Sequence, residues 1–206
     1  MIFACARRLH YYDHSMREGV FLNMSEYDNQ GYSIEGKTLG ILGLGRIGSQ
    51  VAKFGKMLGM KIIYYNRHQT ENDIDAKYVD LDTLLKESNF LSLNAPLTEE
   101  TRHIIDAAAL SKMKDTAFLI NVARGGLVDQ AALVDALKSD EIAGAGLDVF
   151  ENENEVDEEL AGLDNVIMTP HVGSATHMAR YNLSKEASKN IISYLIDGQA
   201  LNQVNA

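Results

Sequence analysis

Six short runs that are apolar on both faces recur along the chain, with segments of helical period between them. The runs are "TLGILGLG" (38 to 45), "MKIIYYN" (60 to 66), "FLSLNAP" (90 to 96), "TAFLINV" (116 to 122), "IAGAGLDVF" (142 to 150) and "NVIMTP" (165 to 170). A strand without a polar face must be covered on both sides, as parallel strands between two layers of helices are. The intervening segments "QVAKFGKML" (50 to 58), "DLDTLLKES" (80 to 88) and "DQAALVDALKSD" (129 to 140) place apolar residues every three or four positions, the last with Asp129 as an N-cap. Strand and helix in alternation predict an α/β fold with a doubly wound parallel sheet, whose ligand lies beyond the carboxyl ends of the strands. The two prolines, Pro96 and Pro170, each directly follow a strand and so fall on that edge.

Composition narrows the partners. A chain of 206 residues, 46% hydrophobic and without an apolar run of membrane length, has material for one core or slightly more. Its formal charge of -10 comes without clustered Lys or Arg, which argues against nucleic acid or an acidic membrane as partner. A single cysteine, Cys5, cannot close an internal disulfide. The amino terminus also lacks the basic, apolar, then small-residue order of a secretion signal, so a cytoplasmic location is expected. No cluster with metal-ligand spacing, internal repeat or linker stands out.

The first strand runs into "GLGRIG", a G-x-G-x-x-G of Gly43, Gly45 and Gly48 set between a strand and a helix. Alone, the triplet is equally a flexible turn, but that placement is the one a dinucleotide fingerprint requires. Gly43 would permit the tight turn, Gly45 would let the backbone approach a pyrophosphate, and Gly48 would let helix and strand pack closely. The expected fold is therefore Rossmann-like. The second strand ends about 20 residues on, where an acid suits the ribose of NAD and an arginine the 2′-phosphate of NADP. Here "IIYYNRHQ" supplies Asn66, Arg67 and His68 in place of an acid. Asn66 can bond a ribose hydroxyl, and Arg67 brings positive charge, so the cofactor is NAD or NADP with the balance toward NADP.

Later strand ends carry three ionisable groups. Arg124 lies in "NVARGGLVD", presented by a glycine turn and able to hold a carboxylate bidentately. Asp148, Glu151 and Glu153 follow the next strand in "GLDVFENE", and His171 follows Pro170 in "TPHVGSAT", with Ser174 placed to cap the final helix. Each has an ordinary structural reading: a surface arginine, an acidic loop, a packed histidine. Together, at successive strand ends beside a dinucleotide loop, they suit reduction of a 2-keto acid. Arg124 would hold the carboxylate, His171 would donate the proton, and Glu153 beside it would favour the imidazolium form.

The runs "GKTLGILGLGRIGSQVA", "APLTEETRHII", "LINVARGGLVDQAALVDAL", "GAGLDVFENE" and "NVIMTPHVGSAT", over roughly residues 36 to 176, resemble in order those of the NAD(P)-binding part of D-isomer-specific 2-hydroxyacid dehydrogenases. The resemblance implies Arg124, Glu153 and His171 as catalytic residues and Asp148 beside the nicotinamide. It implies cofactor contacts from Gly43, Gly45, Arg46, Ile47 and Gly48, from Asn66 and Arg67, and from Ala95, Pro96 and Thr101. Val122, Ala123, Arg124, Asp148, His171 and Gly173 complete the expected set. It further implies a homodimer through the nucleotide-binding domains and a small 2-keto or 2-hydroxy acid as substrate.

Two departures stand out: the absent acid after the second strand, and the absence of roughly a hundred preceding residues that build much of the family's substrate domain. Residues 1 to 19 are expected to form the connecting helix, with Ile2, Ala6, Leu9 and Met16 on one stripe. Residues 20 to 176 would form the dinucleotide domain. Residues 177 to 206 would form a helix, with Leu183, Ala187, Ile191 and Leu195 aligned, and a tail, "LNQVNA", that reads as complete. The helices at both ends then read as remnants of a second domain. The alternative to a dehydrogenase fragment inactive on its own is a non-catalytic NAD(P)-binding dimerisation module or a truncated, inactive gene product. A methyltransferase using the same glycine loop explains neither "NVARGG" nor "TPHVGS".

Overall fold

A computed structural model describes residues 1–203, and the chain divides into two compact units, Met1–Pro170 and His171–Ala206. Among the described residues, seven strands form one sheet: β1 (Thr38–Leu42), β2 (Lys61–Tyr65), β3 (Lys77–Tyr78), β4 (Phe90–Leu93), β5 (Phe118–Asn121), β6 (Gly144–Leu147) and β7 (Val166–Met168). Their order is β3-β2-β1-β4-β5-β6-β7 and every pairing is parallel. The six apolar runs each supply a strand. Only the edge strand β3 escapes the pattern, because two residues are too short to show a period.

The strands are apolar on both faces because each face has its own core. Leu91, Leu93 and Leu119 point to one side, among Leu84, Leu85, Leu133 and Leu137. Leu39, Ile41, Phe90, Phe118 and Ile120 point to the other, among Ala52, Ile62 and Tyr64. Successive residues of one strand alternate between the two clusters, as the pleat demands. Burying a side chain such as Leu119, with 0% exposure, contributes about 1.5 to 3 kcal/mol.

Two helices near the amino terminus, α1 (Ile2–Ala6) and α2 (Leu9–Arg17), are followed by α3 (Arg46–Met57), which packs on the face of Ile62 and Tyr64. The opposite face is covered by α4 (Leu81–Glu87), α5 (Ala107–Leu110), α6 (Gln130–Lys138) and α7 (Glu158–Ala161). All four of these are capped by aspartates: Asp80, Asp106, Asp129 and Asp157 accept backbone N–H groups of the first turn. Asp129 was the cap expected from sequence. Each such cap contributes about 1 kcal/mol.

The expected single connecting helix is broken. Tyr32 donates its backbone N–H to the Ala6 carbonyl at 2.7 Å, taking the acceptor that His10 would need to continue the helix. Arg8 takes a left-handed conformation, φ 49°, and the chain restarts as α2. The stripe of Ile2, Ala6, Leu9 and Met16 is therefore split: Ala6 is fully buried, whereas Leu9 and Met16 are exposed. Gly31 makes the close approach possible, since a Cβ there would lie 2.8 Å from the Ala6 oxygen.

In the second unit, α8 (His177–Ile192) starts at Thr176, whose hydroxyl accepts the Ala179 N–H at 3.1 Å. The expected cap, Ser174, lies two residues too early, inside a turn in which Ala175 N–H reaches the Val172 carbonyl. A π-turn, Ser193–Asp197, follows and ends at Gly198, φ 65°. Leu183, Ala187 and Ile191 on α8, and Leu195 on the π-turn, are exposed. The last residues of "LNQVNA", 204–206, lie outside the described residues. Among the described residues, no helix is long and apolar enough to cross a membrane.

Cys5 tests the seating of α1. Its sulfur fills the space left by Gly146, where a Cβ would lie 2.8 Å from Sγ, and burial pushes its thiol pKa up to about 11. The native protein should react with a thiol reagent at mildly alkaline pH at least tenfold more slowly than the same protein in denaturant, by an order-of-magnitude argument from thiolate fraction and access. Equal rates would show that α1 is not docked on the sheet.

Candidate functional site at the strand carboxyl ends

The parallel register brings Tyr65, Leu42, Leu93, Asn121, Leu147 and Met168 into one row of strand ends. Gly43, one residue past that row, has φ +97°, open to glycine and strained for other residues. A Cβ on Gly43 would also lie 2.7 Å from the Ala95 nitrogen, so the loops after β1 and β4 touch. A Cβ on Gly48 would lie 2.2 Å from the Gly43 carbonyl oxygen. Gly45 has open space at its Cβ position, and as N-cap of α3 it offers no side-chain cap. The first N–H groups of a twelve-residue helix thus face an open edge beside exposed Arg46 and Ile47, an arrangement suited to a pyrophosphate.

Asn66 is committed inside the protein. Its Oδ1 accepts the Leu44 N–H at 2.7 Å and its Nδ2 donates to the Thr70 hydroxyl at 2.9 Å. It therefore ties the end of β2 to the glycine loop. Arg67 and His68 are exposed. The Glu100 carboxyl is held below its usual range, first by the Thr98 hydroxyl that donates to it and lastly by the positive field of Arg67. Arg67 thus has an acid in its neighbourhood as well as open solvent.

After β4, Ala95 is half-buried and Pro96 exposed. The Thr101 hydroxyl donates to the Pro96 carbonyl and accepts the Thr98 N–H, each at 2.8 Å, so it shapes the loop. Between them and β4 lies Asn94, whose Oδ1 is buried without a hydrogen-bond partner, the only such side-chain atom found among the described residues. An orphan acceptor at this edge fits a site completed by a polar ligand. Sequence reasoning passed over Asn94 because its residue type carries no signal; the missing partner does.

After β5, Val122 is exposed and Ala123 half-buried. Buried Asn121 donates to the Arg124 carbonyl at 2.9 Å and accepts the Ala123 N–H at 3.2 Å. The Arg124 guanidinium is exposed and donates to the Ala123 carbonyl at 2.6 Å. After β6, Asp148 is buried, 4% exposed, and accepts the Thr169 hydroxyl. Glu153 is exposed further along that segment. In the second unit, His171 has φ 51°, and His171 and Gly173 are both exposed.

A parallel sheet carrying a glycine turn, an uncapped helix start and an orphan acceptor at its switch point defines a dinucleotide-binding α/β domain. The chain belongs to the family described as "D-isomer specific 2-hydroxyacid dehydrogenase, NAD binding domain", whose profile matches residues 1–173. It is 54% identical over 167 residues to a glyoxylate reductase of Thermococcus litoralis, covering 80% of this chain and 50% of that one. It thus spans about half the length of that relative. A D-lactate dehydrogenase with NAD+ from Lactobacillus jensenii superposes with TM-score 0.90 at 33% identity, over 100% of this chain and 66% of that one. An acyclic imino acid reductase in complex with NADPH and D-Arg gives 0.86 at 34% identity, over 96% and 62%. The relatives thus include proteins solved with each cofactor, and the family assignment supports NAD or NADP for this chain.

Asn66 gives the test of the loop geometry. Removing its side chain by Asn66→Ala leaves the Leu44 N–H, in a residue 4% exposed, without its acceptor, at a cost of about 1 to 3 kcal/mol. The urea midpoint should fall by the equivalent amount. Asn66→Asp, which keeps an acceptor oxygen, should recover most of it; no recovery would detach Asn66 from the loop.

Proposed function

We propose that the chain carries the nucleotide-binding and acid–base half of an NAD(P)-dependent D-2-hydroxyacid dehydrogenase, acting between a nicotinamide and a small 2-keto or 2-hydroxy acid. The observation that carries this reading is the Arg124 turn, held by Asn121 on the same strand edge as the open glycine loop. The dinucleotide, when bound, supplies or accepts the hydride. The amides at the start of α3 and the Gly45 backbone hold its pyrophosphate, while Ala95, Pro96, Val122 and Ala123 line its path. Arg124 exchanges the Ala123 carbonyl for the substrate carboxylate. His171 gives its proton to the carbonyl oxygen as that oxygen gains charge, with Glu153 favouring the imidazolium form. Asp148, buried beside the Thr169 hydroxyl, serves the nicotinamide side.

Exposed Arg67 supports NADP over NAD, with Glu100 as its competitor. A homodimer through this domain is supported by an apolar face on the first unit, where Phe3, Phe54 and Met57 are exposed around a cavity of about 490 Å³. A cytoplasmic location is supported by the single cysteine.

Titration of the chain with each cofactor, and oxidation of NAD(P)H against a panel of small 2-keto acids, test the reading. Arg67→Ala should narrow the preference for NADPH over NADH by on the order of 1 to 3 kcal/mol; equal affinities in the parent would sink the NADP assignment. In a protein that turns over, His171→Asn should lower the rate by about two to four orders of magnitude while cofactor affinity holds. Binding without turnover is expected of this chain alone, and of a non-catalytic NAD(P)-binding dimerisation module as well; the His171→Asn comparison in a protein that turns over separates the two, and failure to bind either cofactor would overturn both. Sedimentation as a monomer would remove the dimer.

A further inference from the structure

The turn that carries Arg124 is enclosed from two sides. On one side, the loop after β4 donates the His103 N–H to the Gly126 carbonyl at 2.9 Å and the Ile105 N–H to the Leu127 carbonyl at 3.0 Å. On the other, the segment after β6 lies so close that a Cβ on Gly125 would be 1.9 Å from the Phe150 oxygen and 2.5 Å from the Glu151 nitrogen. Leu127 donates its own N–H back to the Arg124 carbonyl. The two enclosing segments are 48 residues apart in sequence and are joined by an ion pair between His103 Nε2 and a Glu151 carboxylate oxygen. His103 itself is held at φ 49°, in the left-handed region, which costs a non-glycine residue energy unless its surroundings enforce it.

We propose that His103 is a positioning residue for Arg124: its ring, paired with Glu151, closes a clamp around the turn from which the arginine projects. The proposal rests on the reading of Arg124 as the substrate-carboxylate residue. Ion pairing between the two flanking segments keeps them from separating, and the turn between them cannot shift without breaking the His103 and Ile105 hydrogen bonds.

The charged groups on the surrounding elements do not replace Glu151. On the loop of His103 itself, Glu100 accepts from Thr98, and Arg102 lies over Gly126, 3.5 Å from its Cβ position; Glu99 is exposed. Asp106 and Asp129, at the starts of α5 and α6, accept the Ala109 and Ala132 N–H groups. Asp157 accepts from Gln130, whose Oε1 receives the Glu151 N–H. Arg124 lies on the turn itself, and Glu153 two residues beyond Glu151. Among the described residues, Glu151 makes the ion pair with His103.

Amide hydrogen exchange on the 206-residue chain reads the clamp directly, because the Leu127 amide is bonded to the Arg124 carbonyl and the Ile105 amide to Leu127. At one fixed pH, protection at both amides should be about two- to fivefold lower in His103→Asn than in the parent, the range for a half-exposed pair. Glu151→Gln should give the same loss, and neither substitution should much change the urea midpoint. His103→Lys, which offers Glu151 a cation, should restore protection to the parent's level, an outcome that mere packing by the ring would not produce. A His103→Asn protein matching the parent, or a His103→Lys protein no better protected than His103→Asn, would overturn the clamp. NADH titration of the same samples keeps the two readings separable: loss of cofactor binding speaks against the proposed function, whereas the exchange data answer for the clamp.

Discussion

The carbonyl of Gly43 stands where any side chain on Gly48 would have to be, and the rest of the nucleotide edge follows from that contact. It draws the start of α3 down onto the end of β1, so the free N–H groups of the helix face outward at the level of the strand ends. It also holds the loop after β1 against Ala95, which brings the β4 exit into the same space. A sheet whose strands all point one way then delivers every later strand end to that edge. Arg124, Asp148 and the orphan oxygen of Asn94 reach it because of register.

Around this frame the loops are held by short polar side chains. Asn66 fastens β2 to the glycine loop, Asn121 fastens the turn of Arg124, and Thr101 ties the loop after β4 to Pro96. These side chains use up donors and acceptors that residue type alone would offer to a ligand. Next to the engaged Asn66, Arg67 is exposed and has an acid, Glu100, in its neighbourhood. A chain of net charge -10 thus has two exposed arginines, Arg67 and Arg124, just past the ends of β2 and β5.

Much was legible in the residue order because the signals were local. The six strands declared themselves by apolar runs, the crossover helices by their period, and the α6 start by Asp129. Gly43 and Gly48 were assigned their conformational and packing roles from spacing, and both show them. The failures were equally physical. The break after Ala6 depends on Tyr32 taking a carbonyl 26 residues away, which no helical pattern contains. The choice of Thr176 over Ser174 as cap depends on a turn of the preceding backbone.

By itself, then, the sequence determined the class of fold, the sites of its loops and the kinds of side chain at the strand ends, because each rests on period, spacing or backbone permissiveness within a few residues. Only the tertiary structure decided which of those side chains are free to meet a ligand and which are tied inward. Asn66 is tied to Leu44, whereas Arg67 beside it faces solvent, and His103 meets Glu151 across the turn of Arg124. A hydrogen bond between residues 22 or 48 positions apart is fixed by where the sheet and its loops bring the chain back together, and that is a property of the folded chain alone.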